Sequence, residues 1–156
     1  MLADTIAYLG VAYQDGTHTT LQYIKPRTSN DTVKQIMNCW ADIVGDVVTV
    51  EFLEYCLKGD WACIRVALPS FLNDYFSGQY FPHITVSKPK DGRAVDSPKI
   101  FADPSAGHYK MDRREKGVVT IFNRRNEPII DTDWKEIQNV LLFKKKLKAL
   151  IKTMGA

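Results

Sequence analysis

Thr5-Ile6-Ala7-Tyr8-Leu9-Gly10-Val11-Ala12-Tyr13-Gln14-Asp15-Gly16-Thr17-His18-Thr19-Thr20-Leu21-Gln22-Tyr23-Ile24 is the stretch whose reading decides the fold. Residues 5–14 form an apolar run rich in β-formers, and a second extended run spans residues 17–24. Asp15-Gly16 between two such runs signals a two-residue hairpin. That register sets Gln14 against Thr17 and Tyr13 against His18. Opposed residues share a face, so Tyr13 is a candidate neighbour of the imidazole.

Working outward, Ser29-Asn30-Asp31 offers a helix cap. Val33, Ile36, Met37, Trp40, Ile43 and Val44 then recur at helical spacing, ending at Gly45. Trp40 reads as core. Val48, Val50 and Phe52 alternate as a half-buried strand, and Ile64, Val66 and Leu68 do the same after the Lys58-Gly59-Asp60 turn. Pro69-Ser70 opens a short helix holding Phe71, Leu72, Tyr75 and Phe76. Residues 88–116, polar and carrying several Pro and Gly, read mostly as loop with one short strand near Ile100. Val118–Phe122 is a strand. Asp131–Asp133 caps a last helix with Val140, Phe143, Leu147, Leu150, Ile151 and Met154 as its apolar stripe, its many lysines reading as a solvated face. Hairpins without regular strand–helix alternation predict an α+β fold with antiparallel pairing, one domain over residues 1–156.

Within this frame a short pattern occurs twice: His18-Thr19-Thr20-Leu21 and His83-Ile84-Thr85-Val86. Each is followed by a basic-proline-basic step, Lys25-Pro26-Arg27 and Lys88-Pro89-Lys90. On a strand, residues two apart share a face. Each motif therefore sets an imidazole beside a hydroxyl. Two of the three histidines of the chain lie in this pattern, and the repetition lifts it above a chance His-x-Thr. Cleavage of an RNA-type phosphodiester needs a base, an acid and donors to the phosphate oxygens. The imidazoles supply the first two and Thr20 and Thr85 the third. No carboxylate is spaced to join either histidine as a metal ligand, so no metal and no cofactor is expected. Tyr13, Tyr80 and Phe81 are candidates for stacking on a base and Lys88 for approaching phosphate; partly buried strand aromatics and a solvated lysine are the competing readings. His108 reads as a surface histidine.

The 156 residues carry a net charge of +3, too mild for coating long nucleic acid. No apolar run reaches membrane-spanning length, and without a basic region followed by an apolar stretch at the N-terminus no secretory leader is expected. Cys39, Cys56 and Cys63 read as small buried residues in a reducing compartment. A cytoplasmic location is expected, host cytosol for a viral protein, with no membrane and no obligate protein partner.

The paired His18-x-Thr20-Leu21 and His83-x-Thr85-Val86 resemble the two signatures of the 2H phosphoesterase superfamily. The resemblance covers roughly residues 5–125. It implies a bilobal α+β domain in which two antiparallel sheets face a central groove, with helices packed outside. It also implies catalysis by His18, Thr20, His83 and Thr85 on a small nucleotide or oligonucleotide, short RNA included. Cyclic or short oligonucleotide second messengers are favoured, as for phage and viral members that evade immunity. The alternatives are opening of 2′,3′-cyclic phosphates in RNA repair and a non-catalytic nucleotide- or RNA-binding module. The first motif comes earlier than in many members, directly after one hairpin strand.

Overall fold

In the computed structural model of the chain, which describes residues 1–78, 80–130, 134, 149, 152 and 153, the opening hairpin forms as its apolar pattern requires. A helical turn, α1 (Leu2–Thr5), precedes strands β1 (Tyr8–Tyr13) and β2 (His18–Tyr23). The loop between them is one residue longer than expected. The Tyr13 amide donates to the Thr17 carbonyl and the Gly16 amide to the Tyr13 carbonyl, so Gln14, Asp15 and Gly16 make a three-residue loop. The Asp15 carboxylate holds it by accepting from the Thr17 amide at 2.9 Å and the Thr17 hydroxyl at 2.6 Å. Gly16 takes φ +89°, where an L side chain would be strained. Ala12, not Tyr13, therefore pairs with His18. A one-residue slip exchanges the two faces of a strand. Tyr13 turns inward, and the expectation that it neighbours His18 is corrected.

Four more strands follow: β3 (Val47–Lys58), β4 (Trp61–Ala67), β5 (His83–Ser87) and β6 (Gly107–Phe122). They close into a barrel in the order β1-β2-β5-β4-β3-β6, with every neighbouring pair antiparallel. This overturns the expected α+β fold of two sheets facing a groove with helices outside. The reason is β6. Its residues 107–118 pair with β3 and its residues 117–122 pair with β1, so one strand serves both sets. At the other side Thr19 pairs with Ile84 and joins β2 to β5. The two sets thus share both borders. The first ten residues of β6 are mostly exposed and largely charged, which is why the stretch reads as loop. Its backbone bonds to β3 carry it without an apolar stripe. Instead of a strand near Ile100, residues Ala94–Ala102 form a 3-10 helix, and Ser70–Tyr75 form another.

The core comprises Leu9, Val11 and Tyr13 of β1, Leu21 of β2, Ile84 of β5, and Val119 and Ile121 of β6. Helix α2 (Asn30–Trp40), capped by the Ser29 hydroxyl accepting from the Thr32 amide, adds Val33, Met37 and Trp40 to it. Leu21 is an extra residue in β2, because Leu9 pairs with Gln22 and Gly10 with Thr20. This bulge turns Gln22 inward, where its Oε1 accepts from Trp40 Nε1–H at 2.8 Å. Cys56 and Cys63 are buried as expected, whereas Cys39 is exposed; all three are free thiols. The expected helix after Asp131 falls outside the described residues. Among the described residues, no helix is long and apolar enough to cross a membrane.

Gly117 lies where β6 passes from one partner to the other, pairing with Val48 and with Tyr13. A Cβ there would stand 2.3 Å from Val11 Cγ1 and 3.1 Å from the Ala12 carbonyl oxygen. Gly117→Ala is expected to lower the unfolding free energy by about 1–3 kcal/mol through overpacking. Urea denaturation followed by tryptophan fluorescence measures it, and a variant as stable as the parent would contradict the tight closure at this strand.

Candidate active site

The Thr19–Ile84 pair decides where the motif side chains go. Thr19 and Ile84 are fully buried. Their strand neighbours on either side therefore point outward. The antiparallel register sets His18 opposite Thr85 and Thr20 opposite His83. All four residues of the two motifs share one outer face, each imidazole facing the other motif's hydroxyl. The two imidazoles sit on the diagonal, where residues are roughly 7–8 Å apart and their β-carbons somewhat closer.

The two histidines are held differently. His18 packs against Phe122, at 5.1 Å between ring centres, and against Tyr8, also at 5.1 Å. Tyr8 in turn stacks on Phe122 at 4.7 Å. Gly10 lies beneath these rings; a Cβ there would meet Phe122 at 3.1 Å and Tyr8 at 3.4 Å. The Tyr8 hydroxyl donates to Asn126 Oδ1 at 3.1 Å and stands 3.1 Å from His18 Nε2. One hydroxyl proton serves one acceptor, so His18 Nε2–H donates to Tyr8 and the Nδ1 lone pair is left for other work. Burial pushes the His18 pKa down to about 4, and the charge of His83 pushes the same way. His18 is neutral at pH 7.

His83 donates its Nδ1–H to the Phe81 carbonyl at 3.0 Å. Burial lowers its pKa too, but the carbonyls of Phe81 and Ala94 favour the charged ring. Of the two, His83 has the surroundings that accept a proton more readily. Thr85 Oγ1 lies 2.8 Å from the buried Ser97 hydroxyl on the Ala94–Ala102 helix. Thr20 Oγ1 makes no hydrogen bond among the described residues and is half-exposed. It is the readier of the two donors for a ligand oxygen.

The other expected residues divide. Tyr13 is buried, with its hydroxyl 2.9 Å from Thr19 Oγ1 and its ring edge-on to Phe52, on the far side of the sheet from His18. Tyr80 and Phe81 are exposed beside β5. The Lys88 ammonium donates to the Gly92 carbonyl of its own loop at 3.0 Å. Sequence reasoning missed four residues. Tyr8 and Asn126 hold His18. Ser97 holds Thr85. Arg65 pairs with His83 across β4 and β5 and lays its guanidinium 3.8 Å from the centre of the Phe81 ring. Even-numbered residues of β1 share the face of His18 once the loop is read as three residues, and that signal points to Tyr8. Asn126 and Ser97 are distant in sequence and left no local signal.

No family model, no curated protein and no solved structure matches the chain. The site is therefore characterised by its own geometry: two imidazoles and two hydroxyls on one outer face of an antiparallel barrel, beside an aromatic and cationic edge.

Both histidine pKa values are lowered by folding, so the unfolded chain binds protons more readily than the folded one. The His18 contribution to stability is fully present above pH 6.5 and is lost as pH falls toward about 4. The loss amounts to about 3 kcal/mol. An NMR titration of the imidazole nitrogens is expected to place His18 near 4 and His83 below 6.5. His83→Ala should raise the His18 value by removing the repulsion. Unchanged titration of His18 in that variant would mean the rings do not sense each other.

Proposed function

We propose that this chain is a metal-independent phosphodiesterase acting on a small RNA-like substrate, with cyclic or short oligonucleotide messengers favoured. The observation that carries the reading is the pairing of Thr19 with Ile84, which brings two histidines and two threonines to one face. In this mechanism neutral His18 takes a proton through Nδ1 from the attacking 2′-hydroxyl or water. The oxygen bonds to phosphorus and the P–O bond to the leaving oxygen breaks. His83, charged through bound phosphate at its side, delivers the Nε2 proton to that leaving oxygen. Thr20 and Thr85 donate to the non-bridging oxygens, where charge accumulates. Tyr8 and Asn126 keep the His18 Nδ1 lone pair aimed at the substrate. Arg65, Phe81 and Tyr80 form an edge suited to a nucleobase and its phosphate. The net charge of +3 favours a short substrate over a long polymer.

A panel of 2′,3′-cyclic mononucleotides, cyclic dinucleotides, cyclic trinucleotides and 2′,5′-oligoadenylates, each incubated with EDTA present, tests the reading. Turnover of a cyclic or short oligonucleotide is expected; turnover of cyclic mononucleotides alone would shift the assignment to RNA end repair. His18→Ala and His83→Ala should each lower kcat by about 100- to 10,000-fold, and the threonine variants by less. A folded histidine variant with near-normal turnover would exclude the mechanism.

The pH dependence follows from the two environments. With His18 as base and His83 as acid, kcat/KM should rise as pH passes about 4 and fall again as His83 deprotonates, below 6.5. The optimum is therefore acidic in the free enzyme. Tyr8→Phe keeps the stack on Phe122 but removes the hydrogen bond to His18. It should lower kcat by about tenfold with little change in KM, since one hydrogen bond is at stake. An unaltered kcat and an unaltered acid limb would show that Tyr8 does not position the base.

A further inference from the structure

A second cluster of reactive side chains lies on the same outer surface, two strands away from the histidine motifs. β3 carries Glu54 and Cys56 two residues apart, and β6 sets His108 as the partner of Cys56. Three ligand atoms converge there. His108 Nδ1 is 2.5 Å from Glu54 Oε1 and 3.2 Å from Cys56 Sγ, and Cys56 Sγ is 3.1 Å from Glu54 Oε1. From this geometry we infer that Glu54, Cys56 and His108 form a binding site for a divalent transition metal of the zinc type.

Three observations carry it. The first is orientation. His108 Nε2 stands 2.8 Å from the Asp103 carbonyl, to which it donates its proton. Asp103 is itself fixed by Lys58 and by the amide and hydroxyl of Ser105. The Nδ1 lone pair then faces the Glu54 carboxylate, and two acceptors this close require a cation between them, a proton or a metal. An imidazole whose second nitrogen donates to a backbone carbonyl is the arrangement that orients metal ligands. The second is fit. Zinc bonds of about 2.0–2.1 Å to N and O and about 2.3 Å to S place tetrahedral ligand atoms roughly 3.3–3.6 Å apart. The triangle has to widen by less than about 1 Å, which side-chain rotation supplies. The third is chemistry. One thiolate, one imidazole and one carboxylate suit zinc or cobalt and not magnesium or calcium.

Binding balances as an exchange of protons. The Cys56 thiol proton and the proton shared by His108 and Glu54 leave to solvent, and the metal takes their place. The Glu54 and His108 side chains are 25% and 33% exposed, so an ion reaches them directly and the fourth position stays open to water. Cys63 is the strand partner of Cys56, but its thiol donates to the Ser97 carbonyl at 3.3 Å and is turned to that bond. At about 4.8 Å per strand the ion would stand roughly 10 Å from Thr85, too far to touch a phosphate held by the imidazoles. It acts as a clip between β3 and β6, so the inference is independent of the proposed catalysis.

The test uses the full chain stripped with EDTA and titrated with Zn²⁺ and, separately, Co²⁺. One equivalent is expected to bind, with Zn²⁺ raising the melting temperature and Mg²⁺ leaving it unchanged. Co²⁺ should give a thiolate charge-transfer band together with tetrahedral ligand-field bands. Cys56→Ser should abolish the charge-transfer band, and His108→Ala should weaken binding by about 100-fold. His18→Ala and His83→Ala should leave the spectrum intact. Absence of the thiolate band at one equivalent overturns the assignment, as does full binding in the Cys56→Ser and His108→Ala variants. Loss of the band on replacing His18 or His83 also overturns it, by moving the metal to the other site. If Cys56→Ser does not fold, His108→Ala, at a partly exposed position, decides the question alone.

Discussion

One ladder pair, Thr19 with Ile84, holds the arrangement together. It closes the barrel between β2 and β5, and it fixes the register of the two motif strands against each other. Both residues are fully buried, so the pair is anchored by the core and not by the groove it creates. A one-residue slip of either strand at this seam would send that strand's two motif side chains inward and its buried residues outward. The burial of Ile84 and Leu21 opposes such a slip, because a shifted register would expose them at a cost of about 1.5–3 kcal/mol each. The same apolar residues that stabilise the fold therefore position the polar ones.

The outer face then differentiates two residues that share one short motif. His18 is enclosed by Tyr8 and Phe122, and its hydrogen bond runs outward through Tyr8 to Asn126. His83 sits against backbone carbonyls, which favour its charged form. Two imidazoles in equivalent settings would compete for the same proton. Unequal surroundings separate their tasks, one toward accepting a proton and the other toward giving one. Gly10 contributes by absence: without a side chain it leaves room for the rings of Tyr8 and Phe122 to lie over β1 and reach His18.

The outer surface of the barrel holds more chemistry than the two motifs. A row of side chains runs from His18 through Thr85, Cys63 and Cys56 to His108, one from each successive strand. A parallel row runs from Thr20 through His83, Arg65 and Glu54 to Lys110. Antiparallel ladders with a period of two side chains generate such rows whenever registers align. The closure of the barrel thus places residues from five strands on one continuous surface, although they are scattered over about a hundred positions of the chain.

Local pattern alone determined a good deal. Apolar β-forming runs around Asp15-Gly16 gave the strands of the hairpin, and alternation gave those of β3 and β4. The Ser29 cap and the apolar spacing gave α2, and the repeated His-x-Thr gave the residues that share a face within each strand. These are properties of residues within a few positions of one another, and steric and hydrophobic periodicity governs them directly. The loop length between β1 and β2 was not legible, because it turns on Asp15 accepting two hydrogen bonds from Thr17, and the resulting register sent Tyr13 to the core and brought Tyr8 to His18. Nor was the barrel legible: the charged first half of β6 has no periodic signature and becomes a strand only because β3 offers it a ladder. Of the neighbours that set the two imidazoles apart, the Phe81 carbonyl is local to His83, but Asn126 and the Ala94 carbonyl are brought in by chain closure. Long-range pairing brings together groups whose local sequences carry no trace of each other, so the tertiary structure alone decided which histidine is enclosed and which one faces acceptors.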